Sequence, residues 1–154
     1  MNLILWRHAE AEDAEPDLAR RLTPKGRRQA QQMAKWLRER LPERYAVYAS
    51  PARRTRETAD ALECAYSVVQ DLAPDADVAH YHAVSDWPVG PQEAGGTVVI
   101  VGHQPIIGRF ASLLLSGEER DWSVRKGAVW WLSARDREER RQVVLRAVVS
   151  PDLL

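Results

Sequence analysis

Leu3-Ile4-Leu5-Trp6-Arg7-His8-Ala9-Glu10 is the stretch whose reading decides the fold. A short apolar run ends abruptly in Arg7-His8, and polar residues follow. That is the pattern of a buried strand that stops at a surface or cleft. Open α/β sheets bind ligands in the crevice beyond the carboxyl ends of their strands. The first strand therefore delivers a cation and an imidazole to the place where such folds bind.

The same logic extends outward. Thr97-Val98-Val99-Ile100-Val101 is β-branched throughout and apolar enough for burial on both faces, and it ends in Gly102-His103-Gln104-Pro105. Tyr45-Ala46-Val47-Tyr48-Ala49 reads as another strand and Ser67-Val68-Val69-Gln70 as a weak one. Between these lie helices. Thr23 is placed to cap the first, with Pro24 at its first position. Ala30, Met33, Ala34, Leu37 and Leu41 recur at helical spacing before Pro42 ends it. Ser50-Pro51 repeats that start, with Ser50 as cap of a helix running to about residue 65. Residues 74–87 read as a short helix, and Ile106, Ile107, Phe110, Ala111, Leu114 and Leu115 form one side of a last one, with Gly117 beyond its end. Ala128-Val129-Trp130-Trp131-Leu132 and residues 143–149 read as two strands joined by a charged turn over 135–141. Strand–helix units followed by a hairpin predict an α/β class fold. It is a three-layer α/β/α sandwich, one domain over residues 1–154, with a largely parallel sheet and an antiparallel C-terminal edge hairpin.

Bulk composition excludes several function classes. The 154 residues are 45% hydrophobic and 29% charged, the profile of an ordinary globular chain. Lys plus Arg and Asp plus Glu each number 22, so net charge gives no case for nucleic acid or a membrane as partner. The lone cysteine, Cys64, cannot form an internal disulfide and points to a reducing, cytoplasmic compartment. The N-terminal apolar run is too short for a signal sequence, and no stretch is long enough to span a membrane.

In a parallel sheet the three strand ends share one edge, which brings Arg7, His8, His103 and the arginines after Ser50-Pro51 to one crevice. Clustered guanidiniums repel one another unless an anion joins them, and their planar donor forks match phosphate oxygens. The helix starts after Ser50 and Gln104 would add backbone N–H groups. A neutral imidazole in such a hole can attack phosphorus. His80 and His82 would not share a helix face and stand near no other ligand types, so neither a metal nor a cofactor is expected.

The order and spacing of four motifs resemble the histidine phosphatase (phosphoglycerate mutase-like) superfamily. They are Arg7-His8-Ala9-Glu10, Leu22-Thr23-Pro24-Lys25-Gly26, Ser50-Pro51-Ala52-Arg53-Arg54-Thr55 and Val101-Gly102-His103-Gln104-Pro105. The short length and Lys126-Gly127-Ala128-Val129-Trp130-Trp131-Leu132 resemble its compact SixA-type branch of phosphohistidine phosphatases. The resemblance implies His8 as nucleophile and Arg7, Arg54 and His103 as the phosphate pocket, with Arg53 outside it. His103 is expected protonated when it binds the phosphate oxygens, and Gln104 is expected to bind substrate as well. Ala9 stands where members usually carry glycine. The chain has no insertion bearing the general-acid Glu of the mutases, and Asp71 is the nearest candidate for an acid. Phosphohistidine leaves as an imidazole, a far better leaving group than an alkoxide, so a pocket without a strong acid suits it. The implied substrate is a phosphorylated histidine on a protein domain, with inorganic phosphate as product. A small phosphomonoester, such as a sugar phosphate or nucleotide, and a non-catalytic phosphate-binding module are the alternatives.

Overall fold

The computed structural model describes all of residues 1–154. One six-stranded sheet runs through it in the order β3-β2-β4-β1-β5-β6. The strands are β1 (Asn2–Arg7), β2 (Ala46–Ala49), β3 (Ser67–Val68), β4 (Thr97–Gly102), β5 (Val129–Arg137) and β6 (Arg140–Val149). β3, β2, β4 and β1 are parallel; β5 runs antiparallel to β1, and β6 to β5. The helices are α1 (Pro24–Arg38), α2 (Arg53–Asp60), α3 (Val78–Ser85) and α4 (Ile106–Ser116).

The pleat explains the three layers. Successive side chains of a strand point to opposite faces. Leu3, Leu5, Val98 and Ile100 enter one core, under Val78 and Tyr81 of α3 and Ile107 and Phe110 of α4. Ile4, Trp6, Val99 and Val101 enter the other, under Met33, Ala34 and Leu37 of α1 and Ala59 of α2. β1 and β4 are thus apolar on both faces because each face has helices over it. Every fully buried Leu or Ile side chain there contributes about 2 kcal/mol of transfer free energy.

Three boundaries differ from the sequence reading. α1 stops at Arg38, four residues before Pro42, because the N–H groups of Arg40 and Leu41 both turn in on the Leu37 carbonyl. α2 stops at Asp60, not near residue 65; its last turns tighten and Glu63 takes a left-handed conformation (φ 58°). The hairpin turn is only Glu138-Glu139, both left-handed (φ 51° and 65°). This two-residue turn matches strand twist, so the strands extend into the charged stretch and pair Arg137 with Arg140. The Ser50 cap is also absent: α2 begins at Arg53, its N-cap position is Ala52, and the Ser50 side chain is used elsewhere. Thr23 does cap α1, its Oγ1 accepting the Gly26 N–H at 2.9 Å.

Candidate active site

Arg7 at the end of β1 is the register partner of Gly102 at the end of β4, and Ala49 of β2 lies opposite Val101. His8, Ser50 and His103 therefore leave three adjacent parallel strands at one level. The His8 and His103 ring centroids are 5.4 Å apart. Arg7, His8, Arg54, His103 and Gln104 line one cavity of about 500 Å³. Its wall is almost wholly polar, with Glu10, Glu12, Asp13, Arg20 and Lys126 around the rim.

Backbone carbonyls hold the rings and guanidiniums in place. His8 Nδ1 lies 2.7 Å from the Ala9 carbonyl oxygen. A carbonyl only accepts, so Nδ1 carries the proton and Nε2 keeps its lone pair. Ala9 fits where a glycine would: its N–H donates to Thr58 Oγ1 at 3.1 Å and its methyl is buried beside Leu22 and Ala30. Arg7 Nη1 donates to the Val124 carbonyl at 2.7 Å, and no carboxylate pairs with its guanidinium. Arg54, only 4% exposed, donates to the Asp17 carbonyl (2.9 Å) and carboxylate (3.1 Å). Its Nη2 also reaches His103 Nδ1 at 3.4 Å. The Nε atoms of both arginines are buried without a protein partner.

Burial sets the charge of the imidazoles. Desolvation, with Arg54, Arg7 and Arg20 adding to it, pushes His8 down to about 4 against the opposing pull of the Ala9 carbonyl. Desolvation, then His8 and the arginines, pushes His103 down to about 3, and only Asp17 opposes. At neutral pH both rings are uncharged in the free pocket. The protonated His103 of the sequence reading refers to the ring with phosphate oxygens bound; in the free pocket, burial and three nearby positive or potentially positive groups, His8, Arg54 and Arg7, disfavour that charge.

A family model described as the histidine phosphatase superfamily (branch 1) matches residues 3–77. A phosphohistidine phosphatase SixA homolog of Haemophilus influenzae is 31% identical over 129 residues, 74% of this chain and 77% of that protein. The chain belongs to the histidine phosphatase superfamily, in its SixA-type branch. An uncharacterised protein of Picosynechococcus is also 31% identical, over 77% of this chain and 75% of its own length. The solved structure of the protein histidine phosphatase SixA complexed with tungstate superposes with a TM-score of 0.75 at 26% identity, covering 99% of each chain. A mycobacterial glucosyl-3-phosphoglycerate phosphatase shares the fold at a TM-score of 0.68 and 20% identity, over 95% of this chain and 97% of its own. The protein is a phosphatase of the histidine phosphatase type.

Other residues singled out in the sequence of this SixA-type protein lie apart from the cavity. Arg53 is exposed and pairs with Glu57 along α2 at 2.9 Å. Asp71 is exposed on a short turn and does not line the cavity. His80 closes a capping box with Asp77 at the start of α3, and His82 packs edge-on against Phe110. Neither belongs to a cluster of groups able to hold a metal ion. Gln104 does line the cavity, but its Oε1 accepts the Gly108 N–H (2.7 Å) and its Nε2 donates to the Trp122 carbonyl (2.8 Å). Its main job is to tie the start of α4 to the loop before β5.

Sequence reasoning missed Asp17, Ser50 and Tyr81. The acidic 10–17 segment carries no period, so nothing marked Asp17 as the residue that holds Arg54. Ser50 looked like a helix cap. Tyr81, fully buried, accepts the His103 N–H at 3.1 Å, and its hydroxyl lies so close to Gly102 that a Cβ there would collide with it. A buried tyrosine in the one segment of mixed periodicity was the available signal.

Proposed function

We propose that this SixA-type phosphatase removes phosphate from a phosphorylated histidine on a protein, through a phosphoryl group carried on His8. The observation that carries the proposal is a neutral imidazole with its free Nε2 at a cavity where an Arg7 guanidinium has no carboxylate partner. An uncompensated cation beside a neutral nucleophile is costly to hold and serves an arriving oxyanion. In the first step the His8 Nε2 lone pair forms a bond to phosphorus, and the N–P bond of the substrate breaks. Its electron pair stays on the leaving ring, whose other nitrogen carries a proton, so a neutral imidazole departs. Water then bonds to phosphorus, the His8 N–P bond breaks, and one water proton passes to solvent as phosphate leaves. Arg7 and Arg54 hold the phosphoryl oxygens throughout. The incoming dianion offsets the desolvation and the repulsion that keep His103 neutral, so His103 takes up a proton with the phosphoryl group bound. No step uses a metal or other cofactor.

The substrate class rests on the wall chemistry. Small-molecule sites are mostly apolar, and this cavity is polar almost all round, with seven charged side chains among the thirteen that line it. Glu10, the carboxylate of the β1 exit, is engaged by the Thr23 hydroxyl at 3.0 Å and faces Lys126 at 4.0 Å. Glu12 is paired with Arg21 at 2.9 Å and Asp13 is turned fully to solvent, so a leaving group departs without a dedicated acid, which an imidazole does readily. The lone Cys64 fits a cytoplasmic site of action.

Incubation with a radiolabelled phosphohistidine protein, followed by rapid quench and peptide mass spectrometry, should place acid-labile label on residue 8. His8→Ala should lose turnover by at least about 10³-fold. Robust hydrolysis by that variant removes His8 as nucleophile. Phosphohistidine protein should exceed aryl and sugar phosphates in kcat/KM, and the reverse order assigns the site to small phosphomonoesters.

A further inference from the structure

His103 has one ring nitrogen facing the cavity and one facing inward, and the inward one meets Ser50. The Ser50 residue is wholly buried, and its Oγ is 2.7 Å from His103 Nε2. Its place is set by the sheet, since the Ser50 N–H continues the β2–β4 ladder to the Val101 carbonyl at 3.2 Å.

The Arg54 contact decides where the proton sits, and the Ser50 hydroxyl is placed to receive it. On the cavity side, Arg54 Nη2 approaches Nδ1 at 3.4 Å. A guanidinium has only donors, so Nδ1 must be bare. A neutral imidazole then carries its proton on Nε2, and that N–H donates to Ser50 Oγ. On the Ser50 side, Oγ accepts the Ala52 N–H at 3.2 Å and has a second lone pair with which to accept the His103 Nε2–H. The opposite tautomer would set an Nδ1–H against the Arg54 donors.

We propose that Ser50 is a positioning residue: its hydroxyl holds the His103 proton on Nε2, so that Nδ1 is the nitrogen presented to the phosphoryl group. The inference rests on the functional reading of His8 and His103 above. When phosphoryl binds, the second proton goes to Nδ1, where it can donate to a phosphoryl oxygen beside Arg54. The ring need not turn, because Nε2–H stays with Ser50 in both charge states. Tyr81 complements this by pinning the His103 backbone N–H. The charged and titratable groups around the ring are Arg7 at the end of β1 and His8 just beyond it, Arg54 on α2, Tyr81 on α3 and Asp17 in the segment before α1.

The direct test needs no variant. Long-range ¹H–¹⁵N spectra of the ¹⁵N-labelled wild-type protein at neutral pH should show His103 as the Nε2–H tautomer and His8 as the Nδ1–H tautomer. An Nδ1–H tautomer at His103 overturns the inference. Ser50→Ala should then mix the His103 tautomers while His8 keeps its own, and should lower kcat by roughly 10- to 100-fold with KM changed less than about threefold. Ser50→Thr, which keeps the Oγ, should restore a single His103 tautomer and most of kcat. A role confined to shaping the 50–53 turn would instead lower stability and leave tautomer and kcat as they were, and that result also overturns the inference. The wild-type spectrum does not depend on turnover. Normal activity in His8→Ala would therefore sink the functional reading without touching the tautomer, and the two failures are distinguishable.

Discussion

Arginines cluster at two places in this molecule, at the carboxyl ends of the parallel strands and at the tip of the β5–β6 hairpin. In the cavity, Arg7 and Arg54 are clamped by backbone carbonyls at 2.7 and 2.9 Å. At the tip, Arg137, Arg140 and Arg141 are exposed, and the strongest fixed contact is Arg141 to Asp136 at 3.1 Å. Exposed pairs of that kind are worth ~0–1 kcal/mol. The residue type is the same in both places. What separates them is burial and anchoring, which turn a solvated cation into one aimed at a ligand.

The comparison breaks hardest at Arg54. Arg54→Lys keeps a charge but loses the fork that joins Asp17, His103 and, on the proposed mechanism, a phosphoryl oxygen. A loss of about 10²-fold in kcat/KM is expected from steady-state kinetics. The matched change Arg141→Lys at the tip should leave kcat/KM within about twofold. Equal effects would erase the distinction between the two clusters.

Acid sharpens the same contrast, because the cavity holds two buried neutral imidazoles and the tip holds none. His8 and His103 sit at about 4 and about 3, below the 6.5 of an exposed histidine. Between those values the unfolded chain binds more protons than the folded one. Stability contributed by these groups is therefore complete above about 6.5, falls as pH drops toward 4 and 3, and levels off below. The loss is on the order of a few kcal/mol, measurable by urea denaturation across that range. Nucleophilic His8 stays neutral until pH nears 4, so its own titration, followed by NMR in the free protein, should show no inflection near 6.5. A His8 ring that titrates near 6.5 would show an exposed nucleophile and contradict the buried pocket.

Much of this could be read in the chain before any coordinates. Apolar β1 and β4 signalled a sheet covered on both faces, and Arg7-His8 and Gly102-His103 at their ends signalled a shared crevice, because parallel topology leaves those ends nowhere else to go. Motif spacing separated Arg54 from Arg53, which a bare helical period could not. What escaped were contacts between groups remote in sequence. Asp17 meets Arg54 across 37 positions and Ser50 meets His103 across 53, and neither carries a periodic signature. The neutrality of His103 in the free pocket also escaped, because it depends on how deeply the ring is buried. At the tip, strand ends were misjudged for a local reason: Glu138-Glu139 forms a left-handed turn without the Asn or Gly that usually announces one.

That turn offers the gentlest way to test whether cavity and tip are independent. Two glutamates held at φ 51° and 65° carry the steric cost of the left-handed region, which Asn-Gly adopts with far less strain. The double change Glu138→Asn with Glu139→Gly should stabilise the protein by ~1 kcal/mol in denaturant titrations. It leaves Arg137↔Arg140 as the last register pair, so the strands need not shift. Nothing in the turn lines the cavity, so kcat and KM should stay at wild-type values. A change in either constant would mean that strain at the tip reaches the cavity through β5 and β1, and the two regions would have to be treated as one.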